Sequence, residues 1–356
     1  MTHSRDRFRV LHVIESFGGG SLSALRQYIA STPDLEHHVI RRVRDGEYSP
    51  VPEDEAFASV TEMPANLVMA VFAIQRAARN IEPHIVHAQS SLGGVLARVS
   101  LRSSDRRRIV YTPHCFAFER LDVRPPVRWA FRATEWLLAL NTYAVAGCSP
   151  AEAGTAQAWS TCKRSFYVPN LAHGVATSAG FDGSNSPPTV VAAGRLSAQK
   201  DPAYFGRVVA HLQRSPNPPA ALWLGDGEPV LAERLERTGI SVSGWRPPDE
   251  VQRKLSAAAV YVHTARWEGF PMMILEAHES GVPIVARRIK ALAGLDPRVL
   301  ADSEQELANK VLSVLGDPSI AAQNRSAWSR FLENNTRAAQ RSNLLRAYGL
   351  AEPDSV

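Results

Sequence analysis

The segment from residue 268 to residue 286 restricts the fold more than any other part of the chain, because it predicts a loop, a helix and a strand in close succession. Its sequence is EGFPMMILEAHESGVPIVA. Pro271 suits the first position of a helix, since its φ is fixed and its missing N–H would have no intrahelical partner there. Gly281 and Pro283 predict the end of the helix, and the apolar residues that follow predict a buried strand.

The start of this predicted helix is suited to bind an anion, because the first backbone N–H groups of a helix have no intrahelical partners. The groups concerned belong to Gly269, Phe270, Met272 and Met273. Glu268 lies just before the helix and Glu276 lies about two turns inside it. Carboxylates repel phosphate but accept hydrogen bonds from hydroxyls. Phosphate-binding N–H groups beside hydroxyl-binding carboxylates predict a site for a nucleotide sugar.

Length and composition limit the alternatives. A chain of 356 residues exceeds the size at which a single core usually stops growing, so two domains are expected. The net charge of +5 suits phosphate-bearing substrates or anionic lipid headgroups. The three cysteines, Cys115, Cys148 and Cys162, form no metal or disulfide pattern, which favours a reducing cytosol. The longest apolar run, at 136–148, falls short of the ~20 residues that span a bilayer, so we expect a protein that is soluble or rests on a membrane surface.

The N-terminal part of the chain predicts the first unit of a doubly wound α/β domain. A strand pattern at residues 9–14 is followed by three glycines at 18–20 and then by a helical pattern. The glycine spacing misses the dinucleotide fingerprint by one residue, because Ser23 stands where glycine or alanine is required. The next strand ends in Arg41 and Arg42, which suit a 2′-phosphate. From this region alone a nicotinamide-dependent oxidoreductase stays open.

A linker and a second strand-loop-helix pattern divide the chain. Residues 175–188 are mostly small and polar and end in two prolines, which is typical of a linker. A strand pattern follows and leads to Arg195 and Lys200 in the loop before a helix. Two cations at this position suit a diphosphate. We therefore expect an N-terminal domain at residues 1–174 and a C-terminal domain at 189–325.

Four motifs resemble those of the retaining glycosyltransferases of family 4, which have the GT-B fold. They are the E-x7-E pair Glu268 and Glu276, the GRLxxxK segment at 194–200, the GDG turn at 225–227 and the Pro-Asn pair at 169–170. The resemblance covers most of residues 8–286 and weakens afterwards. It implies the α/β class, with two Rossmann-like domains that face a cleft. The N-terminal domain would bind the acceptor, and the C-terminal domain would bind the nucleotide-sugar donor.

The resemblance also implies roles for individual residues. In that family the first glutamate lies by the donor sugar and the second holds the ribose, while the arginine and lysine bind the diphosphate. A histidine-containing loop after a strand matches His114, which is expected to orient the sugar and the acceptor. We therefore predict His114, Glu268, Arg195 and Lys200 as catalytic residues. The predicted donor site consists of Gly19, Gly20, Arg195, Lys200, Gly244, Arg246, Glu268, Gly269, Phe270, Pro271, Met272, Met273 and Glu276.

The implied reaction moves a sugar from a nucleoside diphosphate sugar, UDP-linked in our expectation, to an acceptor hydroxyl with retention of configuration, in polysaccharide or glycoconjugate synthesis. We expect a glycan or lipid-linked acceptor, a position in the cytoplasm or on the inner face of the cell membrane, and no nucleic-acid partner. No metal and no cofactor besides the donor are expected, because cations and a helix N-terminus take the role of a divalent ion. A nucleotide-sugar 2-epimerase of the same fold and a catalytically silent nucleotide-sugar-binding protein are the alternatives.

Two helical patterns and one histidine carry further expectations. Residues 125–140 combine tryptophans with arginines, which suits a membrane interface, but packing on the core with arginines that reach solvent is favoured. Residues 326–350 predict a C-terminal helix that packs back on the first domain. His87 ends another strand and is expected either to line the ligand site or to be structural, with the structural role favoured.

Overall fold

The computed structural model describes residues 7–42, 56–159, 161–162, 164–172 and 187–350. The chain divides into two compact units, Met1–Leu171 with Asn335–Val356, and Ala172–Asn334. All but the last two residues of the predicted linker at 175–188 lie outside the described residues.

Strands and helices alternate along both units, as the hydrophobic periodicity indicates. The strands are β1 (Arg9–Ile14), β2 (Glu36–Arg41), β3 (Ser59–Glu62), β4 (Ile85–Gln89), β5 (Arg108–Thr112), β6 (Ala144–Gly147), β7 (Ser165–Tyr167), β8 (Thr189–Ala193), β9 (Ala220–Leu224), β10 (Ser241–Val242), β11 (Val260–His263), β12 (Ile284–Arg287) and β13 (Leu300–Ala301). The helices are α1 (Gly19–Ser31), α2 (Leu67–Ile81), α3 (Ser91–Ser100), α4 (Pro125–Leu138), α5 (Pro150–Trp159), α6 (Pro202–Leu212), α7 (Pro229–Glu236), α8 (Pro248–Ser256), α9 (Met272–Glu279), α10 (Glu304–Gly316), α11 (Pro318–Phe331) and α12 (Arg337–Tyr348).

The first unit contains a seven-stranded sheet in the order β3-β2-β1-β4-β5-β6-β7, and each strand pair is parallel. Its inner strands are buried on both faces, because a parallel sheet is covered by helices on both sides. Leu11 and Val86 pack with α2 and α3 on one face. Val10 and Ile85, their neighbours in the sequence, pack with α1 and α12 on the other.

The second unit contains a six-stranded parallel sheet in the order β10-β9-β8-β11-β12-β13. Val190 and Val262 pack on one face with Phe205 of α6 and Leu307 of α10. Both sheets are doubly wound, so the predicted α/β class with two Rossmann-like folds is confirmed.

The predicted helix at 326–350 is wrong as a single element. α11 ends at Phe331, and α12 begins at Arg337 after Thr336, whose side chain accepts a hydrogen bond from the N–H of Ala339. A threonine in extended backbone that caps a new helix starts a separate element. α11 belongs to the second unit, whereas α12 packs on α1 and on strands of the first.

The favoured expectation for α4 is also wrong. Trp129 is 68% exposed and Trp136 is 50% exposed, so neither tryptophan packs in the core. Only a narrow stripe of α4 faces the protein, and Glu135 in that stripe is buried and pairs with Arg98 at 2.8 Å. The helix therefore presents both tryptophans to solvent, whereas Phe131 packs against the core of the first unit.

Candidate active site

Two loops of the second unit lie at the carboxyl edge of its sheet. β8 and β11 are adjacent and parallel, although β9 and β10 come between them in the chain. The strand order reverses at this point, and open α/β sheets bind ligands in the crevice at such a reversal. The loop 194–201 leaves β8 and the loop 264–271 leaves β11, so both border the crevice.

The two loops are held together by predicted site residues. The ammonium group of Lys200 forms an ion pair and hydrogen bond with Oε1 of Glu268. Gln199 donates to the other carboxylate oxygen of Glu268 at 3.2 Å and to the carbonyl of Trp267 at 3.0 Å. The Thr264 hydroxyl donates to the carbonyl of Lys200 at 2.7 Å. These bonds give one cation and one carboxylate defined positions at the sheet edge.

Gly194 allows Lys200 to take this position. Its φ is +134°, which an L side chain rarely adopts, and a Cβ there would approach Cε of Lys200 to 2.9 Å. The positive φ therefore favours glycine at the start of the GRLxxxK segment, and the lack of a Cβ leaves room for the lysine side chain.

α9 begins one residue later than predicted. Pro271 is its N-cap and has a ψ of 114°, so its backbone is extended and Met272 is the first helical residue. Within the described chain, no side chain caps this end. Gly269, Phe270 and Pro271 are buried, and Met272 and Met273 are half-buried. An uncapped helix start beside a lysine is suited to an anionic ligand.

Glu276 lies in the second turn of α9. Burial raises the pKa of Glu276 to about 7, and the nearby charge of Glu279 adds to this effect. The pKa of the Tyr261 hydroxyl is raised mainly by its own burial and further by the charges of Glu268 and Glu276. Both glutamates of the E-x7-E pair therefore lie within electrostatic range of Tyr261.

Three further predicted donor residues follow strands of the same sheet. Arg195 is exposed at the end of β8. Gly244, with a φ of +66°, follows β10, two strands away from β8. Arg246 lies 3.5 Å from Glu250 in an ion pair at the surface. All three therefore lie on the same edge of the sheet.

Two features of this edge had no role in the sequence prediction. His263 ends β11, is buried, and its Nε2 has no hydrogen-bond partner in the parts of the chain that the structure describes. Burial, and then the charge of Lys200, hold its pKa well below the usual value, so its ring is neutral. Asp201, which caps α6, pairs with Arg287 at 2.9 Å. The only sequence signal for a role of His263 is its position at the end of a strand.

In the first unit, His114 lies at the end of β5 in strained backbone. Its φ is +52° and that of Cys115 is +91°, values that residues other than glycine rarely adopt. Its Nε2 lies 2.8 Å from Oε1 of Gln89, which ends β4. Burial lowers the pKa of His114 to about 4, so the ring is neutral at pH 7. Strained residues of this kind concentrate at functional sites.

Glu152 holds the loop that carries His114. It is not among the predicted site residues. Its carboxylate accepts from the N–H of Cys115 at 2.6 Å and from the N–H of Cys148 at 2.8 Å. The Ser149 hydroxyl accepts from the N–H of Glu152 at 3.1 Å, as in a capping box. Burial raises the pKa of Glu152 to about 7 in spite of these bonds. The only available signal was the Ser-x-x-Glu spacing.

The glycine loop follows β1, next to the reversal of strand order between β1 and β4. Gly19 and Gly20 form the exposed first turn of α1, and Gly19 has a φ of +53°. A Cβ at Gly19 would meet no heavy atom within 4 Å. The loop therefore leaves space on its outer side.

Two other candidates from the first unit are structural. His87 is fully buried between the Tyr348 hydroxyl at 2.9 Å and the Thr112 hydroxyl at 2.8 Å, so it joins α12 to the sheet. Arg41 donates to Glu62 at 3.0 Å and lies 4.5 Å over the ring of Phe17. These contacts account for both residues without a ligand.

Two family models match the sequence. Residues 19–170 match a glycosyl transferase 4-like domain, and residues 187–317 match glycosyl transferases group 1. Together the two matches span most of the chain. The chain therefore belongs to the group 1 glycosyltransferases of the family 4 type. It is an enzyme that transfers a sugar from a nucleotide sugar, as the motifs predicted.

Individual relatives are distant. The chain is 22% identical over 366 residues to an uncharacterized 41.2 kDa protein in the cps region of Klebsiella pneumoniae, covering 95% of this chain and 98% of that protein. It is 25% identical over 240 residues to the UDP-Gal:alpha-D-GlcNAc-diphosphoundecaprenol alpha-1,3-galactosyltransferase of Escherichia coli, covering 58% of each. The fold is similar to that of Anabaena HepE in complex with UDP-glucose, with a TM-score of 0.76, 18% identity and coverage of 97% and 100%. This last likeness supports the GT-B fold.

Proposed function

We propose that the protein transfers a hexose from a UDP-sugar to a hydroxyl of a lipid-linked glycan, with retention of configuration. The observation that carries the proposal is the contact between Lys200 and Glu268 at the reversal of strand order, beside the uncapped start of α9. Two similar proteins support the choice of base, since the Escherichia coli relative uses a UDP-sugar by name and HepE was solved with UDP-glucose. The comparisons give the 2-epimerase no support.

The chemistry follows from the charges at this edge. The acceptor oxygen bonds to the anomeric carbon, the bond from that carbon to the β-phosphate oxygen breaks, and the acceptor proton passes to the departing phosphate. Negative charge grows on the diphosphate during this step. Lys200, Arg195 and the N-terminus of α9 are the groups that would stabilise it. We propose on this basis that transfer needs no divalent cation.

The remaining residues have roles in binding. Glu276 accepts hydrogen bonds from the ribose hydroxyls, and Glu268 lies by the donor sugar, where it also positions Lys200. Gly244 and Arg246 border the base. In the first unit, neutral His114 orients the reacting hydroxyls, and the open Gly19–Gly20 turn leaves space for the diphosphate.

Location follows from the acceptor. A lipid-linked acceptor stays in the membrane, so the enzyme would work in the cytoplasm against the inner face of the membrane. None of the helices in the described residues is long and apolar enough to cross a membrane.

The test is a thermal-shift panel of UDP, GDP, ADP and their sugars in the presence of EDTA. We expect saturating UDP or a UDP-sugar to raise Tm by about 2–4 °C for each ~1 kcal/mol of binding free energy, and the other bases to have little effect. Arg195→Ala and Glu276→Ala should remove the UDP response. Glu236→Gln, at an exposed glutamate on α7 of the same unit, is the matched control and should keep it.

Three outcomes would contradict the proposal. A response that requires Mg²⁺ would overturn metal independence, and a response to GDP or ADP alone would overturn the base. UDP-sugar binding without transfer to any lipid-linked or glycan acceptor would favour a silent binding protein.

A further inference from the structure

The outer face of α4 is apolar and aromatic. Five residues at helical spacing form this face, which we call the α4 stripe. It consists of Trp129, Ala133, Trp136, Leu137 and Leu140, the last of which lies in the turn that follows the helix. Leu137 is 59% exposed and Leu140 is 68% exposed, like the tryptophans beside them. A helix that turns its apolar face to solvent lacks the cover that a surface helix normally obtains from the core.

A row of cations borders the α4 stripe. Arg124, Arg128 and Arg132 follow one another at four-residue intervals, so they lie along one edge of the helix. Arg124 and Arg132 are exposed. The single carboxylate of α4 is Glu135, and it is buried against Arg98 and the Tyr111 hydroxyl. The exposed charge of the helix is therefore entirely positive.

We propose that α4 is an interfacial helix that docks the first unit onto an anionic phospholipid membrane. Tryptophans prefer the boundary between acyl chains and headgroups, and leucines beside them insert into the acyl region. The arginine row then meets the phosphates, where each cation contributes about 1 kcal/mol. The exposed charges of α4 are of one sign, and an anionic membrane complements them along the whole helix. A protein partner would instead need a groove or carboxylates placed to match the helix.

α4 is tied to the loop that carries His114. The Nε group of Arg128 donates to the carbonyl of Phe118 at 2.9 Å, in the short turn that follows His114. Phe118 stacks on Phe116, with ring centroids 4.9 Å apart, and both are buried. A membrane that holds α4 is therefore linked through packed residues to the strand end where the acceptor is proposed to bind. This use of the surface rests on the proposed function, but the docking itself does not.

The test is sedimentation of the full chain with vesicles. One set contains equal parts of phosphatidylglycerol and phosphatidylcholine, and the other contains phosphatidylcholine alone. We expect binding to the anionic vesicles that weakens as salt is added. Trp129→Ser with Trp136→Ser should lower the partition coefficient about tenfold or more. Arg124→Gln with Arg132→Gln should lower it about tenfold on anionic vesicles only.

The matched control is Val230→Ser with Arg234→Gln on α7, which removes an exposed apolar residue and an exposed cation from the second unit. It should bind vesicles as the wild type does. Tm and the UDP-induced shift should stay unchanged in all variants, so a failure of docking is distinguishable from a failure of donor binding.

Two results would overturn the proposal. The first is a wild type that does not sediment with anionic vesicles, or tryptophan variants that bind them equally well. The second is a concentration-dependent dimer in light scattering that the tryptophan variants dissociate without any change in vesicle binding. In that case the α4 stripe would be a contact between two copies of the chain.

Discussion

The two units place their candidate residues at equivalent strand ends but hold them by different means. In the second unit, Lys200 and Glu268 come from two loops and fix each other through opposite charges. In the first unit, the ring of His114 lies against the uncharged amide of Gln89, and its loop is held by strained backbone and by the buried carboxylate of Glu152. Lys200 can exchange its ion pair with Glu268 for an ion pair with a ligand phosphate. The loop of His114 can only present a neutral ring.

This difference leads to different mutational responses. In the second unit, removal of a charged side chain should abolish stabilisation of the leaving group directly. In the first unit, replacing Glu152, which holds the loop, should also lower activity, although less than replacing His114, which the loop carries. The following predictions test that contrast.

The largest effect is expected for Lys200→Ala. It removes a cation from the site of developing diphosphate charge, so kcat/KM should fall about 10²–10³-fold. It also leaves Glu268, which is 10% exposed, without its ion pair, so Tm should fall as well.

A second variant separates these two effects. Lys200→Ala with Glu268→Gln removes the uncompensated charge and should recover part of the Tm without recovering activity. Lys254→Ala on α8 is the surface control. Recovery of activity in the double variant would mean that Lys200 serves only to neutralise Glu268.

The next prediction compares His114, which follows β5, with His87, which lies in the middle of the neighbouring strand β4 and not at its end as predicted. His114→Ala should lower kcat about 10²-fold, within the range for a positioned acid or base, and leave Tm nearly unchanged. His87→Ala breaks two buried hydrogen bonds and leaves a cavity, so it should lower Tm by the equivalent of about 2–4 kcal/mol. Equal activity losses at equal folded concentration would refute the distinction between a ligand-binding and a structural histidine.

The sequence predicted the second unit better than the first for a physical reason. Lys200, Glu268 and Glu276 lie within short local motifs in which a glycine, a proline and a helix start determine the geometry. Gly194 and Pro271 are examples, since their backbone requirements are encoded in their own identity. Most strands of both sheets, including β5, which precedes His114, were also predictable from apolar periodicity.

The errors concern interactions between residues distant in sequence. Glu152 acts on the N–H of Cys115, 37 residues away, and no local pattern encodes that contact. The exposure of Trp129 depends on which face of α4 packs on the protein. Both faces of α4 carry apolar residues, so their spacing alone does not predict which face is buried. The break after Phe331 depends on a cap at Thr336 that was included in a longer helical pattern.

A smaller effect is expected for Glu152→Gln, which tests how the His114 loop is held. A carboxamide has one acceptor oxygen, so its NH₂ group must face the N–H of either Cys115 or Cys148. We expect kcat to fall about tenfold as His114 loses its position, with KM for the UDP-sugar unchanged because Glu152 holds the His114 loop and not the residues proposed to bind the nucleotide. The double variant with His114→Ala should be no slower than His114→Ala alone. Additive losses would show that Glu152 acts independently of the histidine.

The smallest effect concerns pH and the carboxylate of Glu276. Its pKa is about 7 in the folded protein against an ordinary value of 4.5, so the folded state binds the proton more tightly than the unfolded state. The stability from this proton is fully present below pH 4.5 and is lost as pH rises through 7, by about 3 kcal/mol at most. Glu276→Gln should therefore flatten the decline of Tm over this interval.

Ligand binding should have the opposite dependence on pH. Ribose hydroxyls donate to the ionised carboxylate and stabilise it, so UDP affinity should rise as pH increases through about 7. Calorimetric titration of UDP into wild type and Glu276→Gln at several pH values measures this directly, and the variant controls for titration of UDP itself. If both proteins gain affinity equally, Glu276 does not bind the ribose. If only the wild type gains affinity, Glu276 changes from a buried, protonated side chain to an ionised one that binds the donor. The neutral His114 of the first unit cannot make this change.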